Sequence, residues 1–188
     1  MQNNPSYIIN KAKISIIQDD ITSQTTDAIV NAANSSLMGG GGVDGAIHRA
    51  GGPAILEECK QIVSRQGRLP TGKAVITTAG NMKTKYVIHT VGPIWHGGNQ
   101  GEDELLTSAY LESLKLAAEN NLQSISFPSI STGAYGYPID KAAQTAIDTV
   151  VSFLSETTSV KEVVFVLFDS RTYNAYASAL QEFMDKAK

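Results

Sequence analysis

The sequence predicts an α/β fold in which one sheet lies between two layers of helices. Two observations predict it: the strand-like segments are continuous apolar runs, and helical segments separate them along the chain. Continuous apolar strands are typical of sheets buried on both faces, and their alternation with helices is typical of α/β proteins. The predicted strands are Ile14–Gln18, Ala28–Asn31, Ala74–Thr78, Tyr86–Val91, Ser124–Phe127 and Val163–Leu167.

The helices are predicted from hydrophobic periodicity and from residues that start or stop helices. Pro53 lies in the opening turn of one helix, and Gly67 lies just beyond its end. The predicted helices are Val43–Ala50, Pro53–Arg65, Glu102–Asn120, Ile139–Leu154 and Arg171–Lys186. No linker, repeat or low-complexity segment divides the chain, so residues 1–188 are predicted to form a single domain.

Charge and hydropathy limit the partners of this chain. The formal net charge is −3, so there is no broad basic surface for a polyanion, and a nucleic-acid partner is not expected. No segment approaches the roughly 20 apolar residues of a membrane span. The first seven residues contain no basic region followed by an apolar run, unlike a signal peptide. We therefore expect a cytoplasmic protein without a membrane partner, and we expect a monomer.

The single cysteine limits the metal chemistry. Because Cys59 is the only cysteine, an intramolecular disulfide is impossible and a cysteine-rich zinc site is excluded. Its surroundings, the apolar and charged pattern of Ile55–Val63, favour a thiol packed on a helix over a nucleophile.

Four consecutive glycines, Gly39–Gly42, stand directly before a predicted helix. Ligands of open α/β sheets bind at the carboxyl ends of the strands, and glycines before a helix N-terminus can bring backbone N–H groups close to an anion. The alternative is a flexible surface loop in which Asp44 only caps the helix. The match to a dinucleotide-binding fingerprint is weak, because residues 34–38 separate the glycines from the strand. A P-loop is excluded, because no Gly-Lys-Ser/Thr follows.

A second glycine-containing loop, Ser131–Gly136, follows the strand Ser124–Phe127. Two such loops at one edge could hold a diphosphate from both sides, and Tyr135 could offer its ring to a sugar, although ordinary loop packing is the alternative. Asn34 could bind a ribose diol or form a turn. Asp20 could accept a hydrogen bond from an exocyclic amine such as that of adenine, or it could cap a helix that begins near Thr22.

Together these segments resemble a macrodomain of the MacroD type. The matching motifs run in order over most of the chain, from about residue 14 to residue 173. They are Gln18–Thr22, Val30–Ser35, Gly40–His48, Gly51-Gly52, Leu69–Gly72, Ile88–Pro93 and Phe127–Pro138. The resemblance implies a three-layer α/β/α sandwich with a mixed, mostly parallel six-stranded sheet, and ADP-ribose bound along the strand ends.

The resemblance also implies roles for individual residues. Asp20 and the Ile21 N–H would bind adenine, and Phe168 would pack on the adenine face. The diphosphate and the distal ribose would contact Gly42, Val43, Ser131, Thr132, Gly133, Ala134 and Tyr135. Asn34 and Asp44 match the catalytic pair of the family and would also bind the ligand. The Cys/His set of zinc-using macrodomains and the lysine of covalent mechanisms are both absent, so neither a metal nor another cofactor is expected.

The implied activity is hydrolysis at the distal ribose. It would remove mono-ADP-ribose from glutamate and aspartate esters of proteins, and it would deacetylate O-acetyl-ADP-ribose. The expected partners are thus ADP-ribose derivatives and mono-ADP-ribosylated proteins. Attack at the anomeric carbon and attack at the acyl carbonyl both remain open, and for His48 the sequence favours a structural role. The alternatives are a non-catalytic ADP-ribose reader and a phosphatase of ADP-ribose 1″-phosphate.

Overall fold

A computed structural model describes residues 3–188 and contains one seven-stranded sheet flanked by five α-helices. The strands are β1 (Ser6–Ile9), β2 (Ala12–Gln18), β3 (Ala28–Ala32), β4 (Ala74–Thr78), β5 (Tyr86–Thr90), β6 (Ser124–Phe127) and β7 (Glu162–Leu167). The helices are α1 (Gly42–Gly51), α2 (Pro53–Gln66), α3 (Glu102–Glu119), α4 (Ile139–Leu154) and α5 (Ser170–Lys186). A short 3₁₀ helix, η1, covers Ile21–Ser23.

The sheet is mixed, with the order β1-β2-β7-β6-β3-β5-β4. The five inner strands, β2, β7, β6, β3 and β5, are parallel to one another. The edge strands β1 and β4 pair with their neighbours in the antiparallel direction. The carboxyl ends of the five parallel strands therefore lie on one edge of the sheet. This arrangement confirms the predicted fold class, with seven strands instead of six.

The additional strand is β1, which the sequence analysis did not predict. It forms a hairpin with β2 through Asn10 and Lys11, both of which have positive φ angles, 49° and 67°. Two such residues between paired strands are typical of a type I′ turn. Because neither residue is glycine and the strand is half exposed, the local sequence carries no strong hairpin signal.

The core is divided by the sheet into two apolar layers. One layer packs α3, α4 and α5 against the sheet around large buried rings such as Tyr110, Phe127 and Phe165. The other packs α1 and α2 around Ile29, Ile47 and neighbouring residues. Successive residues of β7 alternate between the two layers, which explains why its sequence is continuously apolar. None of the helices within residues 3–188 combines the length and apolar character needed to cross a bilayer.

Candidate functional site

The loops that follow the five parallel strands meet at the carboxyl edge of the sheet. Two of them contain the predicted glycine motifs: the first loop (residues 33–41) connects β3 to α1, and the second loop (residues 128–138) connects β6 to α4. The adenine-side candidates follow β2 and β7, which are neighbours in the sheet. The fold therefore brings all the predicted site segments to one edge, as expected for ligand sites of α/β sheets.

The first loop ends against the N-terminus of α1. Gly41 is the N-cap, and α1 begins at Gly42, whose φ of +59° suits glycine. Gly45 lies against the loop: a Cβ built on it would be only 2.5 Å from the Gly40 carbonyl oxygen. A Cβ built on Gly40 would in turn lie 3.3 Å from both Asn34 Nδ2 and Asp44 Oδ2. The two predicted catalytic side chains therefore converge on Gly40.

Asn34 is held by its own loop. Its Nδ2 donates to the Gly39 carbonyl at 2.9 Å, and its Oδ1 accepts from Ser36 Oγ at 2.5 Å. Its backbone carbonyl accepts from the Leu37 N–H at 3.1 Å and closes a turn. The turn-forming role that the sequence offered as an alternative is therefore present, and it fixes the carboxamide beside Gly40.

Asp44 lies in the first turn of α1 and is only 5% exposed. Its Oδ1 accepts a hydrogen bond from Asn31 Nδ2 at 2.8 Å, and His48 Nε2 lies 3.3 Å from the same oxygen. The His48 contact is close but its angles are not those of a hydrogen bond. Asp44 is not the cap of the helix, because Gly41 occupies the N-cap and no side chain caps it. The capping alternative is therefore wrong.

Two polar residues near the carboxyl ends of buried strands support Asp44. Asn31 of β3 and His89 of β5 are paired in the sheet register, and both are fully buried. Asn31 Nδ2 lies 3.1 Å from His89 Nδ1, and His89 Nε2 lies 2.8 Å from Thr77 Oγ1. Burial, together with His48, lowers the pKa of His89 from 6.5 to about 3, so its imidazole is neutral at physiological pH.

The second loop is shaped mainly by backbone hydrogen bonds. Ser131 has a φ of +67°, which is unusual for a residue other than glycine. The Tyr137 N–H donates to the Ser131 carbonyl and the Gly136 N–H donates to the Gly133 carbonyl, both at 3.0 Å. Thr132 and Tyr135 are half-buried, whereas Gly133 and Ala134 are exposed. The tip of the loop therefore presents its backbone to solvent.

A chain of hydroxyl groups supports the second loop from below. Tyr176 donates to Ser129 Oγ at 2.8 Å, and Ser129 shares a 2.6 Å hydrogen bond with Thr132. Tyr110 contacts the Tyr176 hydroxyl at 3.2 Å and accepts from the Ile130 N–H at 3.3 Å. Burial raises the pKa of both phenols, so they remain protonated.

Glu102 supports the neighbouring loop after β5. Its buried carboxylate accepts hydrogen bonds of 2.6–3.0 Å from three backbone N–H groups, those of His96, Gly98 and Gln100. These bonds lower the pKa of Glu102 to about 2, and the bond from the His96 N–H has the largest effect. The Trp95 N–H of the same loop donates to the Tyr135 carbonyl at 2.8 Å. The Glu102 carboxylate thus helps to position the second loop.

The adenine-side candidates lie at the ends of β2 and β7. Phe168 is 81% exposed, although it follows directly after a buried strand. Ile21 is buried, and Asp20 caps η1 through Oδ1, which accepts from the Thr22 N–H at 2.9 Å and the Thr22 hydroxyl at 2.7 Å. The capping role that the sequence offered for Asp20 is present. Its contact with adenine stays a prediction.

Cys59 is fully buried on α2, and burial together with Asp44 and Glu58 raises its pKa to about 11. A thiol that stays protonated is a poor nucleophile. The Cys59 Sγ lies 3.9 Å from His89 Nε2. The position therefore agrees with a packing role for this side chain.

Comparison with known proteins identifies the family. A model of the Macro domain matches residues 30–146. The chain belongs to the macrodomain family. It is 63% identical to a macro domain-containing protein of Caldanaerobacter subterraneus and 52% identical to the O-acetyl-ADP-ribose deacetylase of Escherichia coli K12; each match covers 94% of this chain and 99% of the relative.

Solved macrodomain structures share the whole fold. The Oceanobacillus iheyensis macrodomain with ADP is 45% identical, with a TM-score of 0.93 and 97% of both chains covered. The Trypanosoma brucei macrodomain in complex with ADP-ribose is 37% identical, with a TM-score of 0.81, covering 89% of this chain and 68% of that one. The family resemblance predicted from the sequence is thereby confirmed.

The sequence analysis of this macrodomain missed Asn31, His89 and Glu102 as contributors to the site. In the sequence, Asn31 and His89 lay within the matching family motifs without an assigned role. Glu102 was noted only as the first residue of a predicted helix. A signal did exist for the first two, since an amide and an imidazole within buried strands need partners inside the protein. The identity of those partners depends on the pairing of β5 with β3 and β4 and on the packing of α1, which the sequence does not give.

Proposed function

We propose that this macrodomain is an ADP-ribose-binding hydrolase that deacetylates O-acetyl-ADP-ribose and removes mono-ADP-ribose from glutamate and aspartate esters of proteins. The observation that carries the proposal is the convergence of Asn34 Nδ2 and Asp44 Oδ2 on Gly40. This pair stands at the N-terminus of α1, between a loop and a helix end suited to a diphosphate. The high identity to an O-acetyl-ADP-ribose deacetylase over almost the full length supports the same activity.

The binding part of the proposal divides the ligand among four loops. Adenine would lie between the exposed ring of Phe168 and the side chain of Asp20, with the Ile21 N–H at the ring edge. The diphosphate would lie between the start of α1, at Gly42 and Val43, and the second loop. That arrangement uses backbone donors, which suits a chain whose net charge is −3. The distal ribose would then reach Asn34 and Asp44.

The catalytic part assigns the two oxygens of Asp44 different roles. Oδ1 is held by Asn31, whereas Oδ2 faces Gly40 and Asn34. Oδ2 would orient a water and accept its proton as the water oxygen attacks the ester. In deacetylation the water adds to the acetyl carbonyl, the bond to the ribose oxygen breaks, and that oxygen takes up a proton to give acetate and ADP-ribose. Asn34 would hold the sugar. Orientation and a positioned base can each contribute 10²-fold or more.

The deciding experiment compares the enzyme with a non-catalytic reader. The unmutated protein is incubated in single-turnover conditions with O-acetyl-ADP-ribose and, separately, with a protein carrying glutamate-linked mono-ADP-ribose. We expect release of acetate from the first and of ADP-ribose from the second. Binding of ADP-ribose without release from either substrate would show a reader and contradict the proposal. Release from the small molecule alone would limit the function to deacetylation.

A further inference from the structure

Asn31 and His89 are costly to bury, and the proposed reaction does not use them directly. Both have no exposed surface, and each brings polar atoms into the sheet beneath the site. Burying such atoms is unfavourable unless they are hydrogen-bonded. Apart from the buried Asn31 Oδ1, which has no hydrogen-bond partner, their side-chain polar atoms have partners on one line that runs from Thr77 of β4 through β5 and β3 to Asp44 of α1. We call the side chains of Thr77, His89 and Asn31 the buried polar chain.

The direction of each hydrogen bond in the buried polar chain can be assigned from its outer end. The Thr77 hydroxyl has one proton and donates it to the Thr78 carbonyl at 2.9 Å. Toward His89 the Thr77 oxygen must therefore accept, so His89 Nε2 carries a proton. Because His89 is neutral, its Nδ1 has no proton and can only accept.

Asn31, at the Asp44 end of the buried polar chain, agrees with this assignment. A carboxamide nitrogen carries two protons, and Asn31 Nδ2 directs one to His89 Nδ1 and the other to Asp44 Oδ1. With the amide turned over, its oxygen would face a carboxylate oxygen and the lone pair of Nδ1. Both contacts would then be repulsive. Only one orientation of Asn31 therefore fits both neighbours.

We propose that the buried polar chain is a positioning device for the reaction: its fixed proton order holds Asp44 Oδ1 as a hydrogen-bond acceptor and leaves Oδ2 free for the substrate side. Asn31 and His89 are thus positioning residues, and they act through Asp44. The inference rests on the proposed role of Asp44 in hydrolysis. It explains why a neutral histidine is kept inside the sheet, since a charged imidazole would have no acceptor at Nδ1 for the Asn31 proton.

Other titratable groups also face this region. His48 of α1 lies 3.3 Å from Asp44 Oδ1, and Cys59 of α2 lies 3.9 Å from His89 Nε2. Glu58 of α2 accepts from the Thr78 N–H at 2.8 Å. Substitutions at Thr77 or Asn31 leave all three of these groups in place. A change of kcat in those variants therefore reports the buried polar chain.

The first test reads the proton order directly. Nitrogen-15 NMR of the labelled full chain distinguishes the two imidazole tautomers and the cation. We expect His89 to remain in the Nε2–H form from neutral pH down to about pH 3, where its pKa lies. An Nδ1–H tautomer, or protonation near pH 6.5, would overturn the inference even if the protein is an active hydrolase.

The second test removes one contact without removing a catalytic group. Thr77→Val deletes the acceptor for His89, and we expect kcat to fall about tenfold with little change in KM. Thr77→Ser keeps the hydroxyl and should restore kcat. Thr84→Val is the matched control: Thr84 is also buried and donates to a backbone carbonyl, that of Thr26 at 2.7 Å, but it lies outside the buried polar chain. It should retain the normal kcat.

The third test removes the donor to Asp44 itself. Asn31→Ala deletes the hydrogen bond that holds Asp44 Oδ1, so kcat should fall about tenfold with little change in KM. In an Asp44→Ala background the same substitution should cost no further activity. Unchanged kcat in both Asn31→Ala and Thr77→Val would overturn the inference. Full turnover in Asp44→Ala would instead contradict the proposed function, while NMR would still decide the proton order.

Discussion

The first and second loops lie at the carboxyl edge of the sheet on two sides of the proposed ligand site, but they are built on different principles. The first loop and the first turn of α1 orient side chains: Asn34 is held by Gly39 and Ser36, and Asp44 of α1 is held by the buried Asn31 amide. The second loop orients backbone, through a left-handed Ser131 and two turn hydrogen bonds above a chain of hydroxyls. The difference indicates that the first-loop side is suited to catalysis and the second-loop side to ligand binding. We therefore expect substitutions on the first-loop side to lower the kcat of hydrolysis, and substitutions on the second-loop side to lower the affinity for ADP-ribose.

The largest expected effect comes from the proposed catalytic pair, Asn34 and Asp44. Asp44→Ala should lower single-turnover hydrolysis of a glutamate-linked ADP-ribose by roughly 10²-fold or more, with a far smaller change in ADP-ribose affinity. Asn34→Ala should act similarly. The double variant should lose less than the product of the two losses, because both residues position one water or one ribose. Normal turnover in both single variants would refute the assignment. Melting temperatures of the same samples control for folding.

A smaller effect is expected at the adenine end, which belongs to neither loop. Asp20→Ala should weaken 1:1 binding of ADP-ribose by about 1–3 kcal/mol in calorimetry, the scale of a lost hydrogen bond to a charged group. Because Asp20 also caps η1, Asp20→Ser is the matched variant, since serine is a good cap without a carboxylate. Equal losses in both variants support the adenine contact. Normal affinity in Asp20→Ser would assign the effect to capping.

Two buried glycines allow each loop to be displaced separately. A methyl group at Gly45 would press on the Gly40 carbonyl oxygen at 2.5 Å, and one at Gly92 would press on the side chains of Ser131 and Ile130. Each alanine substitution should destabilise the fold by about 1–3 kcal/mol. We expect Gly45→Ala to lower kcat about tenfold and Gly92→Ala to lower ADP-ribose affinity about tenfold. If both variants changed kcat and ADP-ribose affinity in the same way, the distinction between a catalytic first-loop side and a binding second-loop side would be wrong.

The smallest expected effects concern metals and the thiol. EDTA should leave hydrolysis unchanged, and Cys59→Ala should leave turnover nearly unchanged while lowering the melting temperature through a small cavity. The Cys59 thiol lies beside His89, but the His89 Nε2 proton is already directed to Thr77. If EDTA abolished hydrolysis and zinc or magnesium restored it, the expectation that Asn34 and Asp44 act without a metal would be contradicted.

Most of the fold could be predicted from local sequence. The six predicted strands and five predicted helices all exist, and their bounds differ from the structure by only a few residues. Apolar runs and helix end signals are local properties, so a single chain is enough to read them. The strand β1 was missed because Lys11 follows Asn10 where a type I′ turn usually has glycine, and lysine is not typical of positive φ. The number of domains and the monomeric state stay predictions.

The candidate site was predicted as a set of segments, and the structure adds how its side chains are held. Sequence alone determined that glycines precede α1, that Asn34 and Asp44 flank them, and that a second glycine loop follows β6. Only the tertiary structure decided that Asp44 contacts Asn31 instead of capping α1, and that Asn31 meets His89. The physical reason is that the Asn31–Asp44 bond, 13 positions apart, depends on how α1 packs on β3, and the Asn31–His89 contact, 58 positions apart, depends on the order and register of strands. No local pattern encodes either of them.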